Sequence, residues 1–165
     1  MKILTIQNRM GIGDMVIFLP FIEAIAKKFD TPVHLLVKEN SKASHFLKSN
    51  KNIKEIIILD RDNKNKKGTH DGFFGSLNLI KKLKTYNFDK VFIFNSSIRF
   101  NLIAKLALIK KIYQYPLFEK KNQHIILAAQ NFLESKLEIK VDSNPSISIN
   151  AKEINLAQNQ YNILK

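Results

Sequence analysis

An apolar run, Ile3 to Ile6, leads into Gln7-Asn8-Arg9-Met10-Gly11-Ile12-Gly13-Asp14, and a segment of helical period follows. Strand, glycine-containing loop and helix, in that order, aim backbone N–H groups and the positive end of a helix dipole at an anion. Asp14 suits a helix N-cap, whose side-chain oxygen accepts from free backbone N–H groups, and Gly13 before it fits such a start. Pro20 clashes inside a continuous helix, so residues 14–19 are expected to form an irregular turn, with the regular helix starting near Pro20. A dinucleotide fingerprint with Gly11 and Gly13 as its first two glycines needs a third at position 16, which is Val16. Glu39, at the end of the next apolar run, would stand for the ribose-binding acid. The missing glycine counts against that reading. Arg99 follows another apolar run and Ser96-Ser97, at the kind of strand end where α/β proteins bind ligands. Its planar fork suits a carboxylate or a phosphate.

The remaining reactive residues mainly exclude. There is no cysteine, so disulfide scaffolds, thiol catalysis and Cys-ligated zinc are out. His34, His45, His70 and His124 show no metal-ligand spacing, and no Ser-His-Asp arrangement is indicated; neither a metal nor a cofactor is expected. Lys and Arg number 27 against 14 Asp and Glu, a net charge of +13. That excess favours anionic partners such as nucleic acid, acidic lipid headgroups or a phosphorylated substrate. All but Arg9, Arg61 and Arg99 of these cations are lysines, dispersed along the chain with no clustered basic-aromatic platform. A nucleic-acid partner is therefore disfavoured. Lys64, Lys66 and Lys67, in the polar stretch Asp60 to Thr69, are read as a solvated loop before a phosphate clamp.

Four runs rich in β-branched residues, Ile3 to Ile6, Val33 to Val37, Ile56 to Leu59 and Val91 to Phe94, suit strands buried on both faces. Lys111 to Tyr115 and Ser146 to Ile149 are weaker candidates. Helical stripes lie between and after them: Ile17, Phe21, Ile22, Ile25, Phe29; Leu77, Ile80, Leu83; Leu102, Ile103, Leu106, Ile109; Ile125, Ala129, Phe132, Leu133; and Ile154, Ala157, Tyr161, Leu164. Alternation of this kind argues a three-layer α/β fold, a Rossmann-like parallel sheet flanked by helices. The 165 residues are expected to form a single domain, 1–165, with a core large enough to need no staples. No apolar run reaches the roughly 20 residues that span a bilayer, and the N-terminus lacks signal-peptide features. A cytoplasmic protein is expected. The ending on an amphipathic pattern at Lys165, without a cap or polar tail, suggests a continuation.

The segment Gly11-Ile12-Gly13-Asp14-Met15-Val16-Ile17-Phe18-Leu19-Pro20-Phe21-Ile22 resembles the N-terminal signature of glycosyltransferase family 9, the lipopolysaccharide heptosyltransferases and their relatives. In that family a Gly-Asp pair follows the first strand, and a Pro sits six residues after the Asp. Val33 to Glu39 resembles the second strand of the family. Phe88 to Arg99 is similar to its element of an aromatic-Asp pair, an apolar strand and Gly-Ser-x-Arg, with Asn95 in the turn. His124 precedes a helix where the family commonly has a His. The resemblance reaches about Ile149 and covers the first half of the family's length. It implies a GT-B architecture, with the acceptor bound by the first Rossmann-like domain and the nucleotide-sugar donor by a second that these residues do not include. It implies Asp14 as the general base of an inverting sugar transfer, with Gly11, Gly13, Ser96, Ser97 and Arg99 around the acceptor. The implied partner is an anionic glycolipid or oligosaccharide, met at the inner face of the cytoplasmic membrane by a chain inactive on its own.

Overall fold

β1 (Ile3–Gln7) and β2 (Val33–Val37) are buried at every position, which is what continuous apolar runs require of strands covered on both faces. A computed structural model describes residues 1–9, 11–61, 68–116, 124–147, 154–156 and 158–159. α1 (Ile12–Lys28) connects β1 to β2. A short 3-10 turn (Glu39–Ser41) and α2 (Ala43–Phe46) lead to β3 (Ile53–Ile58). Then come α3 (Gly72–Tyr86), β4 (Lys90–Ile93), α4 (Ile98–Leu106), β5 (Lys111–Gln114) and α5 (Ile125–Leu137). All strand pairs are parallel, in the order β3-β2-β1-β4-β5. The three-layer α/β expectation is met.

Side chains alternate across the sheet, so each face has its own core. On one, α1 and α5 cover Ile3, Val33, Leu35, Val37, Phe92 and Phe94. On the other, α3 and α4 cover Leu4, Ile6, Leu36, Ile57, Val91 and Ile93. The first core is aromatic at its centre. Phe92 stacks on Tyr113 with centroids 4.7 Å apart, and Phe94 meets Phe18 edge-on at 5.3 Å. Phe18, Phe92 and Phe94, each fully buried, contribute about 1.5–3 kcal/mol apiece, while Tyr113 is partly buried. Thr5, the polar residue inside β1, is satisfied by donating its hydroxyl to the His34 carbonyl at 3.2 Å.

Several elements differ from expectation. Helix α1 begins at Ile12, not near Pro20, and carries Pro20 in its interior. An internal proline removes one helical hydrogen bond and costs about 3 kcal/mol. Burial of Met15, Phe18, Leu19, Phe21, Ile22 and Ile25 on one unbroken helix outweighs that cost. β3 begins at Ile53, three residues earlier than expected, because Val33 pairs there. Of the weaker candidate Ser146 to Ile149, Ser146 and Ile147 are not in a strand, Pro145 before them having no N–H to give a ladder, and Ser148 and Ile149 lie outside the described residues. Of the last stripe only Ile154 is described and it is exposed; Ala157, Tyr161 and Leu164 lie outside the described residues, as do Lys64, Lys66 and Lys67.

The faces of α3 and α4 are also rotated from the expected stripes. α3 buries Gly75, Leu79 and Leu83, leaving Leu77 exposed. α4 buries Phe100, Ile103 and Ala104, while Leu102 and Leu106 face outward. Small residues decide this, because they let a helix lie close to its neighbours. A Cβ on Gly75 would collide with the backbone of His70. Gly75→Ala is therefore expected to cost about 1–3 kcal/mol by overpacking. Urea unfolding checks this, with Gly13→Ala as the comparison: a Cβ there meets nothing within 4 Å, and relief of glycine's entropy cost should leave that variant no less stable.

Candidate functional site

The strand order reverses between β1 and β4: the chain leaves β1 through α1 toward β2 and leaves β4 through α4 toward β5. α1 and α4 lie on opposite faces, so the loops after β1 and β4 part above the sheet and open a crevice at its carboxyl edge. One wall is the loop from Asn8 into α1; the other is Phe94 to Ser97 leading into α4. The sequence candidates divide between these walls.

On the first wall Gly11 is the N-cap of α1, with φ +111°, in the region that favours glycine. A Cβ at Gly11 or Gly13 would meet nothing within 4 Å, so both glycines border open space. Asp14 is consequently not the cap. It is the third helical residue, half-buried in the first turn, where the dipole favours a carboxylate. No described residue hydrogen-bonds to it or pairs with it. The Asp14 carboxylate therefore keeps its acceptor capacity for something else.

The second wall is held by amides. Asn95 accepts the Ser97 N–H at its Oδ1 (2.8 Å) and donates from Nδ2 to Asn8 Oδ1 (3.0 Å), which joins the two walls. Gln114, at the end of β5, donates to the carbonyls of Asn95 (3.0 Å) and Ser97 (2.9 Å). Asn101 in turn donates to Gln114 Oε1 at 2.8 Å. Ser97 is the backbone N-cap of α4 without a side-chain cap bond, and Ser96 is exposed. These hydroxyls stand on a fixed loop.

Arg99 points away along α4 toward α3. Its Nε donates to Ser76 Oγ (3.1 Å) and its Nη2 to the His70 carbonyl. Burial, reinforced by Arg61 and opposed by Asp71, lowers its pKa from the usual arginine value. Arg99 thus fastens α4 to the stem made by Asp60 and Arg61 with residues 68–71. That stem is itself tied. Asp60 and His70 exchange backbone and side-chain bonds, the Asp60 N–H going to His70 Nδ1 at 3.0 Å and the His70 N–H to the Asp60 carbonyl at 2.9 Å. Asp60 Oδ2 takes the Thr69 N–H and hydroxyl, both at 2.8 Å. Asp71 takes the Gly68 N–H and pairs with Arg61 at 3.1 Å.

Sequence reasoning missed Gln7, Asn8 and Gln114. Gln7 ends β1, is fully buried, and neither amide atom has a partner among the described residues. An uncharged polar residue closing an otherwise apolar strand was the available signal. His124 is accounted for locally: it caps α5, its Nδ1 accepting the Ile126 N–H at 3.4 Å. Among the described residues no group of His, Asp and Glu could hold a metal ion, and no helix is long and apolar enough to cross a membrane.

The site thus belongs to a Rossmann-like parallel sheet flanked by helices, with its crevice at the strand-order reversal. No family model matches the chain, and no curated protein does. Solved structures do. One is a glycosyl transferase family 9 protein from Veillonella parvula DSM 2008, 19% identical, superposing at a TM-score of 0.66 over 98% of this chain and 49% of that one. Another is the E. coli ADP-heptose lps heptosyltransferase II, 15% identical, at 0.58 over 98% of this chain and 50% of that one. The chain shares their fold and spans about half their length.

His70 makes the stem sensitive to acid. Its Nδ1 accepts a hydrogen bond, which only the neutral ring can do. Burial above all, with Lys82 and Arg99 and against Asp60 and Asp71, lowers its pKa below 6.5. A folded-state pKa below the unfolded value gives stability that is full above about 6.5 and is lost as pH falls through the folded pKa. Wild type should lose stability on acidification through this window, and His70→Gln should flatten that loss. The buried His34, also lowered mainly by burial, accounts for a remainder. Urea midpoints measured from neutral pH down to about 5 read the difference.

Proposed function

We propose that this chain is the acceptor-binding half of an inverting, nucleotide-sugar-dependent glycosyltransferase of the family 9 type. The observation that carries the reading is the Asp14 carboxylate in the first turn of α1, without a partner among the described residues, beside Gly11 and Gly13 and above the strand-order reversal. The fold shared with two proteins of that description supports it.

In this reading Asp14 receives the proton of an acceptor hydroxyl as that oxygen bonds to the anomeric carbon. The bond from that carbon to the nucleoside diphosphate breaks on the opposite side, inverting the configuration. Gly11 and Gly13 leave room for the acceptor to approach the backbone, and Ser96 and Ser97 offer hydroxyls from the facing wall. Arg99 acts on the facing wall indirectly, through the stem it holds beside the start of α4. The acceptor is a phosphorylated or carboxylated glycan, presented at an acidic membrane surface, in keeping with the +13 charge. The donor is bound by a separate domain.

Calorimetric titration of the chain tests the binding half. A deacylated, phosphorylated lipopolysaccharide-core oligosaccharide should bind, while nucleotide-sugar and NAD should not; tight binding of NAD instead would establish the nucleotide-module reading for which Gly11, Gly13 and Glu39 were weighed. Asp14→Asn tests the chemistry. Because Gly11 is the cap, both Asp14→Asn and Asp14→Ala lose only the charge–dipole interaction, about 0.3–1 kcal/mol in thermal unfolding. In the enzyme complete with its donor domain, either change should lower turnover by roughly 10²–10⁴-fold. Near-normal turnover in both would remove Asp14 from the mechanism.

A further inference from the structure

Phe73 and Phe74 open α3 with 74% and 78% of their surface exposed, their rings packed only edge-on against each other at 5.8 Å. Two adjacent phenylalanines in water are unusual for a surface with no partner. They are not isolated. Leu77 follows one turn later, and on α4 the residues Ile98, Leu102 and Leu106 are 49%, 51% and 58% exposed in a single i, i+4, i+8 stripe. α3 and α4 pack against each other, and the Arg99–Ser76 hydrogen bond sets the start of α4 beside the second turn of α3. The outward apolar residues of the two helices thus lie on the same side of the sheet, on its outer face.

Charge selects what that face meets. α3 carries Lys81, Lys82 and Lys84, α4 carries Arg99 and Lys105, and neither helix contains an acidic residue. A second copy of the chain would set this basic face against another, at a net charge of +13 each. An apolar face on two helices whose only charges are cationic suits an anionic lipid surface, where aromatic rings enter the headgroup boundary and lysine stems reach back to the phosphates. Asp71, before α3, is paired with Arg61. Place agrees with composition. The N-termini of α1, α3 and α4 all lie at the carboxyl edge of a wholly parallel sheet, so Phe73 and Phe74 stand at the same end of the molecule as Gly11 and Asp14.

We infer that the outer face of α3 and α4 docks on an anionic bilayer, with Phe73 and Phe74 as the inserting wedge. This extends the acceptor reading above by naming the surface that brings the crevice to a lipid-borne acceptor.

The test uses glycan-free vesicles, so it is read whether or not the acceptor assignment holds. The full chain should float with phosphatidylglycerol–phosphatidylethanolamine vesicles and not with phosphatidylcholine, less strongly as salt rises. Phe73→Ser with Phe74→Ser should weaken that binding by about tenfold or more, with the circular-dichroism spectrum unchanged because both side chains are already exposed. The chain has no tryptophan, so Phe74→Trp supplies a sole tryptophan whose emission, excited apart from the tyrosines, should move to the blue only when anionic vesicles are added. Absence of vesicle binding, or binding undiminished in the double variant, overturns the inference. So does a blue shift that appears without vesicles and grows with protein concentration, which would make the face a contact between copies.

Discussion

β1 is the strand on which everything else rests. It is paired on both sides, Leu4 to Gln7 with His34 to Val37 and Ile3 to Ile6 with Lys90 to Ile93, and its side chains feed both cores. Its burial leaves no room for a shift of register, because moving by one residue would exchange the contents of the two cores. With β1 fixed, the chain must depart in opposite directions from β1 and β4. The crevice between their loops is therefore a product of topology and not of any local motif. Asp14, Gly11 and Ser97 become neighbours of that crevice because their helices begin where those strands end.

The strands and the layer order were legible in the sequence because a fully buried strand is continuously apolar, and Val33 to Val37 was bounded correctly on that ground alone. Helix faces were less legible. Both sides of α3 and α4 carry apolar residues, so periodicity by itself could not say that Gly75, Ala104 and Ala107 turn inward while Leu77, Leu102 and Leu106 turn out. Close approach favours the small residue at the contact, as at Gly75 against the His70 backbone, and that preference is invisible until the helix has a neighbour. Pro20 misled in the same way: the local rule against internal proline holds as an energy, yet the burial of one long helix exceeds it.

The candidate site was half legible. Gly11, Gly13 and Asp14 announce themselves by type and spacing, although the cap fell to Gly11 and not to Asp14. The amides that hold the second wall could not be read, because Asn8 and Asn95 are 87 residues apart and neither is unusual where it stands. Arg99 was legible as a residue of consequence, but its hydrogen bonds to Ser76 and His70 lie across a helix–helix contact that no pattern along the chain encodes.

The order of the strands also bears on how the molecule is made. β1, β2 and β3 leave the ribosome in succession and can pair at once, but the far edge of β1 waits for β4, whose last residue, Ile93, follows Ile58 by 35 positions. At ordinary rates of synthesis, about 5–20 residues per second, that is roughly 2–7 s. During that time the central strand is an edge, with its backbone donors and acceptors on one side unpaired and apolar side chains beside them. The polar stretch from Asp60 to Thr69 is the first part of the chain to emerge after β3. It therefore spaces the half-built sheet from the apolar face of α3 along the chain during the interval when a wrong strand could still be captured.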